Sequence, residues 1–92
     1  MIVGFKDADT MQLFTERKNR RWASIAKVAL RKLDQLEAAI SLDDLRIPPA
    51  NRLEVLKGNR KGQYRVRIND QYRLCFEWKQ DGAHNVEVAD YH

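Results

Sequence analysis

Residues 63–78, QYRVRINDQYRLCFEW, decide the fold that this sequence predicts. Apolar and polar residues alternate on both sides of a short polar segment, which is the pattern of two half-buried strands joined by a turn. The apolar positions are Tyr64, Val66 and Ile68 before the turn and Tyr72, Leu74, Phe76 and Trp78 after it. We therefore predict an antiparallel hairpin with these side chains on its core face.

The register of this hairpin follows from the need to bury one consistent face. A two-residue loop would set Val66 opposite Arg73 and would mix core with charge. A three-residue loop over 69–71 instead sets Val66 opposite Leu74. We predict the three-residue loop, which also places Arg67 directly across from Arg73 on the face away from the core.

The last alternating segment is VEVADYH, residues 86–92, and the polar run QDGAHN before it predicts a turn over 80–85. Burying the same face sets Val88 beside Phe76. We therefore predict that 86–92 is a central or near-central strand, whose end is held by backbone pairing and does not fray.

In this register Tyr91 lies beside Arg73, so Arg67, Arg73 and Tyr91 form a row across three strands, and Asp90 and His92 emerge at the strand's end. Like charges directly opposite each other destabilise a sheet. Local conflicts of this kind are expected at functional sites more than elsewhere. The alternative is that both guanidinium groups simply splay into water.

The first half of the chain shows the 3.6-residue spacing of helices. One apolar stripe consists of Ile25, Val28, Ala29, Leu33, Leu36 and Ile40, with Leu30 at its flank. Ser24 is the predicted N-cap of this helix, and Pro48–Pro49 prevents its continuation. A shorter helix is predicted over 9–16. Trp22, just before the long helix, is assigned to packing, with an interface to a protein partner as the alternative.

Two short segments, IVGF at 2–5 and RLEVL at 52–56, are further strand candidates. Helices followed by strands predict an α+β domain. We expect a single domain over residues 1–92, with a small twisted antiparallel sheet of three to four strands packed against two to three helices. Residues 2–5 would add a short N-terminal strand.

The composition of 92 residues, with 43% hydrophobic and 33% charged, predicts one soluble globular domain. No apolar run approaches the roughly 20 residues that span a bilayer, and the N-terminus does not resemble a signal peptide. A single cysteine, Cys75, leaves no internal disulfide framework and favours a reducing cytoplasm. We assign Cys75 no chemistry and place it on the face of Arg65.

The formal charge of +4 and the pI of about 9.5 favour a polyanionic partner. Five Lys or Arg and no acidic residue occur in KGNRKGQYRVR, residues 57–67, and a second cluster lies at 17–21. Either cluster alone is more typical of a solvated loop than of a binding site. The sequence contains no paired-carboxylate or histidine-rich pattern for a metal, so no metal or other cofactor is expected.

The stretch NRLEVLKGNRKGQYRVRINDQYRLCFEW, with the closing VEVADYH, resembles the HigB branch of the RelE/ParE superfamily, the toxins of type II toxin-antitoxin systems. The combination of LKG, IND-Q-Y-R and a terminal DYH is its specific part, and the resemblance covers nearly the whole chain. It implies a small antiparallel sheet backed by two or three helices. It also implies ribosome-dependent cleavage of messenger RNA and neutralisation by a helix-turn-helix antitoxin of the HigA type.

The resemblance places the family's active-site positions on Lys57, Arg73, Asp90, Tyr91 and His92. It places Gln71 where some relatives use Asn to contact the RNA base. The basic residues expected to bind RNA beside these are Arg60, Lys61, Arg65 and Arg67. One departure matters: Glu54, in LEVLKG, stands where some relatives have His in LHPLKG. Glu54 therefore either assumes part of that role or pairs with Lys57 or a nearby arginine.

Cleaving RNA without a metal requires deprotonation of the 2′-hydroxyl, stabilisation of the phosphorane's negative charge and protonation of the leaving 5′-oxygen. A guanidinium holds two phosphate oxygens at once, so Arg73 is the first candidate for charge stabilisation and Arg67 and Lys57 the next. His92 titrates near neutrality and is a candidate acid or base, oriented by Asp90. The alternatives are ordinary surface charge for the cations and an exposed chain end for His92.

Tyr91 is a candidate for stacking on a base or for proton transfer, and its alternative is to cover apolar surface. Two other functions compete with the nuclease. One is a ParE-like inhibitor that binds DNA gyrase without chemistry, which is disfavoured because such proteins lack the terminal DYH. The other is a non-catalytic nucleic-acid-binding module that uses the same basic face.

Overall fold

The structure, a computed structural model, describes residues 1–56, 58 and 62–90. The predictions made for Lys57, Arg60, Lys61, Tyr91 and His92 lie outside these described residues. The secondary-structure elements are α1 (Ala8–Glu16), α2 (Ala26–Ala38), β1 (Glu54–Val55), β2 (Gln63–Arg67), β3 (Tyr72–Lys79) and β4 (Gly82–Asp90), with 3-10 turns at Ala23–Ile25, Leu42–Arg46 and Pro49–Asn51.

The four strands form one sheet in the order β1-β2-β3-β4, and every neighbouring pair is antiparallel. The predicted α+β architecture, a small antiparallel sheet with two helices, is therefore confirmed. No helix in the described part of the chain combines the length and the apolar character needed to cross a membrane.

The predicted register of the β2–β3 hairpin is confirmed. Val66 pairs with Leu74, and Arg67 pairs with Arg73. The amide of Ile68 donates to the carbonyl of Tyr72 at 3.0 Å, which closes the three-residue loop over 69–71.

The predicted register of the β3–β4 hairpin is wrong. Val88 pairs with Leu74 and not with Phe76, so Ala89, rather than Tyr91, lies across from Arg73. The chain turns at 80–81 alone, and β4 already begins at Gly82, within the run that was predicted to be a turn. The row that the structure forms across three strands is thus Arg67, Arg73 and Ala89, in place of the predicted Arg67, Arg73 and Tyr91.

A β-bulge lies within this hairpin. Cys75 pairs with Glu87 and Glu77 pairs with His84, so two residues of β4 oppose the single residue Phe76. Asn85, one of these two, has a φ of 51°, a left-handed conformation that Asn adopts more readily than most residues. The side-chain amide of Asn85 donates to the Glu77 carboxylate across the bulge.

Strand β4 lies at the end of the four-strand order, whereas a central or near-central position was predicted. On the side away from β3 it forms parallel bridges with Ile2 and Phe5, which confirms the short N-terminal strand segment. Further along, the amide of Val88 donates to the hydroxyl of the buried Thr10 in α1 at 3.1 Å. Both edges of β4 are therefore paired or covered near its carboxyl end.

The helices match the predictions in position but not at every end. The Asp7 carboxylate caps α1 by accepting from the amide of Thr10 at 2.7 Å. Ser24 is not the N-cap of α2, since it lies in a 3-10 turn and Ile25 takes that position. Ile40 is 93% exposed and not part of the core, because α2 ends at Ala38 and the next residue is extended.

The core lies between the two helices and one face of the sheet. Its buried members include Leu13, Ala29, Leu33, Leu36, Val66, Ile68, Leu74, Phe76, Val86 and Val88. Trp22 is buried and contacts Tyr72 edge-on, with ring centroids 5.4 Å apart. The assignment of Trp22 to packing is confirmed, and this contact attaches the α1–α2 connection to the start of β3.

One polar network crosses this core. Lys32 of α2 is 7% exposed, and its ammonium donates to the side-chain carbonyl of the fully buried Asn51 at 2.6 Å. The Asn51 amide in turn donates to Gln35 at 3.1 Å and to the carbonyl of Leu45 at 3.1 Å. Because buried polar groups are costly unless they are paired, this network fixes the 45–51 segment against α2.

We expect Asn51→Ala to lower the free energy of unfolding by about 2–4 kcal/mol, because it leaves a buried ammonium and a backbone carbonyl without a partner. Gln35→Ala, which removes one outer contact of the same amide, should cost less than about 1 kcal/mol. Denaturant unfolding measures both. In the double variant Lys32→Met/Asn51→Ala part of the loss should be recovered, and equal instability of the single and double variants would contradict this account.

Candidate nucleic-acid interface

The Arg67–Arg73 pair lies on the face of the sheet that the helices do not cover. Side chains of successive strand residues point to opposite faces. Val66 and Leu74 are buried in the core, so their neighbours Arg67 and Arg73 face the other way. The β2–β3 hairpin therefore brings two guanidinium groups together at one end of the open face.

Arg73 is 8% exposed, which makes it one of the few buried charged residues. Its Nη1 donates to the backbone carbonyls of Asn69 and Tyr72, the latter at 3.1 Å. The guanidinium thus holds the loop that joins β2 to β3, in addition to placing a positive charge beneath it. Sequence reasoning ranked Arg73 above Arg67 for phosphate contact, whereas the structure leaves more of the Arg67 side chain exposed, 28%.

Arg67 forms an ion pair with Asp70, in which its Nη2 donates to the carboxylate. This hydrogen bond, and then the Arg67 charge, hold the pKa of Asp70 below its ordinary value, and the charges of Arg73 and Arg52 act in the same direction. The Asp70 side chain is 99% exposed. Three guanidinium groups from different segments thus lie close enough to act on one solvent-facing carboxylate.

The conformation of the loop is fixed by Asn69. Its side-chain carbonyl accepts from the amides of Gln71 at 2.8 Å and Tyr72 at 2.7 Å. Asn and Asp commonly close turns in this way. The loop therefore presents Asp70 and Gln71 to solvent in a defined geometry.

Gln71 and Asp90 are brought together at the same end of the sheet. The side-chain amide of Gln71 donates to the Asp90 carboxylate at 3.3 Å and to the Tyr72 hydroxyl at 3.1 Å. Asp90 pairs with Tyr72, so by strand alternation its side chain and that of Arg73 leave opposite faces. The described candidates thus form two groups at one sheet end, arginines on one face and Gln71 with Asp90 on the other.

Arg65 and Glu54 form a separate pair nearer the β1 edge. They are opposite each other in the β1–β2 ladder, and Arg65 Nη2 donates to the Glu54 carboxylate at 2.8 Å. Of the alternatives left open for Glu54, pairing with an arginine is therefore confirmed. Cys75 of β3 pairs with Arg65 of β2 and so shares its face, as predicted, and Cys75 is buried.

Sequence reasoning missed three residues at this end of the molecule: Lys32, Arg52 and Asp70. Burial lowers the pKa of Lys32, and the charges of Arg31 and Arg67 lower it further, so the charge of one member of the arginine pair acts on the buried ammonium. Its position was visible in the sequence, because Lys32 occupies the same helical stripe as Ala29 and Leu36. Asp70 gave no such sign, since a carboxylate in a turn is ordinary.

In the described part of the chain, no group of three or more His, Cys, Asp or Glu side chains is placed to hold a metal ion. The site is thus described by paired guanidinium groups, a turn carboxylate and a hydrogen-bonded Gln71–Asp90 pair.

The antiparallel sheet backed by two helices has a counterpart among solved structures. In the solved YoeB-YefM complex from Staphylococcus aureus, a chain aligns with a TM-score of 0.61 and 18% identity, over 100% of this chain and 98% of that one, which shows a shared fold. The family model described as RelE-like toxin of type II toxin-antitoxin system HigB matches residues 3–92.

Two relatives by sequence agree with this match. Toxin HigB-1 of Vibrio cholerae is 45% identical over 88 residues, which cover 94% of this chain and 93% of the relative. An uncharacterised protein of Haemophilus influenzae is 39% identical over 64 residues, or 70% of this chain and 63% of that protein. The chain therefore belongs to the HigB-like toxin family of type II toxin-antitoxin systems.

We expect Arg67→Gln to raise the pKa of Asp70 toward 3.8, because the variant removes both the donor and the nearest positive charge. Carbon-13 NMR of the carboxyl groups during an acid titration measures it. A lowered folded pKa means that the pair stabilises the fold above about pH 3.8 and that this contribution is lost as the pH falls through the folded value.

Asp34 is the internal control for this titration, since its pKa is lowered by a hydrogen bond from Arg17 and should not respond. An unchanged Asp70 pKa in Arg67→Gln would show that the ion pair is not formed in solution.

Proposed function

We propose that this toxin is a ribosome-dependent endoribonuclease that cleaves messenger RNA and so inhibits translation. Family membership supports the general activity, because RelE-like toxins act generally as endoribonucleases. The observation that carries the proposal is the pairing of Arg67 with Arg73 around an exposed carboxylate at one end of the sheet. Paired guanidinium groups are suited to a phosphate whose negative charge grows during the reaction.

The proposed reaction is attack of a ribose 2′-hydroxyl on the adjacent phosphorus. The hydroxyl proton passes to a base, a new bond forms between the 2′-oxygen and phosphorus, and the bond to the 5′-oxygen breaks as that oxygen takes a proton. Products are a 2′,3′-cyclic phosphate and a free 5′-hydroxyl. Arg73 and Arg67 stabilise the charge on the phosphorane, with Lys57 as a further cation.

Proton transfer is assigned to the chain end, with His92 and Tyr91 as acid and base and Asp90 as the group that orients His92. Gln71, which is exposed and hydrogen-bonded to Asp90, is assigned to contact with a base of the RNA. Arg60, Lys61 and Arg65 are assigned to contacts with the RNA backbone. Glu54 can act as a base only by leaving Arg65, so we assign it to positioning that arginine.

Membership in a toxin-antitoxin family implies an antitoxin partner. We propose that this partner is a helix-turn-helix protein of the HigA type and that the toxin acts in the cytoplasm, where ribosomes translate. An open reading frame for such a protein beside the toxin's own would support the pairing.

The activity is tested by expressing the toxin from an inducible promoter, mapping the ends of transcripts and measuring plasmid supercoiling in the same cells. A ribosome-dependent nuclease should halt translation and create new 5′ ends within translated codons, with supercoiling unchanged. Altered supercoiling with intact transcripts would instead show a gyrase inhibitor, and neither change would show a non-catalytic binding module.

We expect Arg73→Lys to reduce cleavage of ribosome-bound message by about 10²-fold, because an ammonium keeps the charge but not the planar fork. Arg73→Ala and Tyr91→Ala should also abolish toxicity. Since Arg73 holds the 69–71 loop, thermal unfolding of each variant must be recorded alongside activity.

The matched control is Arg46→Gln, which removes an exposed cation that pairs with Asp43 and lies outside the site. It should leave cleavage and toxicity intact. Growth arrest by folded Arg73→Lys and Tyr91→Ala at the wild-type level would contradict the proposed site.

A further inference from the structure

The β2–β3 loop places the Asp70 carboxylate beside Arg67, where an RNA phosphate would bind. Arg67 and Arg73 are directly opposite each other in the ladder, an arrangement that is repulsive unless an anion lies nearby. Asp70, in the loop between them, supplies that anion by accepting from Arg67. Arg52, which arrives from the 3-10 turn at Pro49–Asn51, adds a third guanidinium charge to the same carboxylate.

The cationic groups exceed the carboxylate in number. Three guanidinium charges, from Arg52, Arg67 and Arg73, act on the single Asp70 carboxylate. The buried ammonium of Lys32, whose pKa the Arg67 charge helps to lower, adds a fourth positive charge. Among the described residues around Arg67, the single Asp70 carboxylate therefore leaves an excess of positive charge that would attract a phosphate.

The Asp70 carboxylate is free to leave without loss of the loop. The hydrogen bonds that close the turn are accepted by Asn69, and the guanidinium of Arg73 holds the carbonyl of Asn69 rather than Asp70. The Asp70 side chain is 99% exposed, and ion pairs of this exposure are weak and sensitive to salt. A rotation of the Asp70 side chain would release the Nη2 group of Arg67 from this hydrogen bond.

We propose that Asp70 is an internal substitute for an RNA phosphate: its carboxylate occupies the anion position beside Arg67 in the free toxin and is displaced by a backbone phosphodiester when RNA binds. The identity of the ligand as RNA rests on the proposed function, whereas the anion position rests on the ion pair itself. Asp70 then weakens RNA binding and keeps the arginine pair ordered until RNA arrives.

Removing the internal competitor should strengthen RNA binding. We expect Asp70→Asn to bind a single-stranded RNA about fivefold more tightly at low salt, because one carboxylate no longer opposes the phosphate at short range. The slope of log K against log salt should stay close to that of the wild type, because Arg67 neutralises the same phosphate in both proteins. Asparagine keeps the size and exposure of the side chain.

The experiment uses the full chain and a fluorescent RNA oligonucleotide with 2′-O-methyl groups, which lacks the attacking hydroxyl and stays intact. Fluorescence anisotropy gives the dissociation constant at several salt concentrations. The matched control is Asp43→Asn, which removes a carboxylate from another part of the surface. Asp43 is 86% exposed, and its carboxylate pairs with Arg46, three residues further along, at 3.0 Å. Both variants change the net charge by the same amount.

The inference is supported if Asp70→Asn binds more tightly, Asp43→Asn does not, and the effect of Asp70→Asn disappears in an Arg67→Gln background. Equal tightening by both carboxylate variants would mean a general charge effect, and unchanged binding by Asp70→Asn would mean that Asp70 is a surface residue alone. Either result overturns the inference.

This measurement is separate from cleavage. Tighter binding by Asp70→Asn, together with intact transcripts in cells expressing the wild-type toxin, would support the anion position and reject the nuclease. Cleaved transcripts together with unchanged oligonucleotide binding by Asp70→Asn would support the nuclease and reject the role of Asp70.

Discussion

The pairing of Val66 with Leu74 is the constraint on which the rest of the structure depends. These residues lie in the core between the sheet and the helices, and a slip of one residue would expose an entire strand face to water. Once this register is set, Arg67 and Arg73 must meet on the opposite face. Hydrophobic burial on one side of the hairpin thereby stabilises a like-charge pair on the other, and the loop supplies the compensating carboxylate.

Alternation predicted β2 and β3 well because their buried positions are regular, and it gave the correct three-residue loop. It failed at β4, where Ala83 and His84 have little strand character and a bulge at Asn85 shifts the pairing. A bulge depends on local backbone conformation that apolar spacing does not encode. The helical stripe similarly overran its end at Ile40, because extended backbone after Ala38 is not visible in a 3.6-residue pattern.

The arginine pair of the candidate site was predictable from the hairpin alone, and the family resemblance added Gln71 and Asp90. The Lys32–Asn51 contact was not predictable, since a lysine within an apolar stripe is buried only if a distant residue accepts its hydrogen bonds. That acceptor lies 19 residues away in a 3-10 turn. The role of Asp70 likewise depends on which charges surround it, and Arg52 reaches it from a segment remote in sequence.

The central claim is that the β2–β3 hairpin forms an anion site for the RNA backbone, and NMR of the complex tests it most directly. A 2′-O-methyl RNA would be titrated into labelled toxin while the arginine side-chain and aspartate carboxyl signals are followed. The account predicts that the Arg67, Arg73 and Asp70 signals shift together as RNA is added, before other surface charges respond. Shifts confined to the basic cluster at 17–21, with the signals of the arginine pair unchanged, would contradict it.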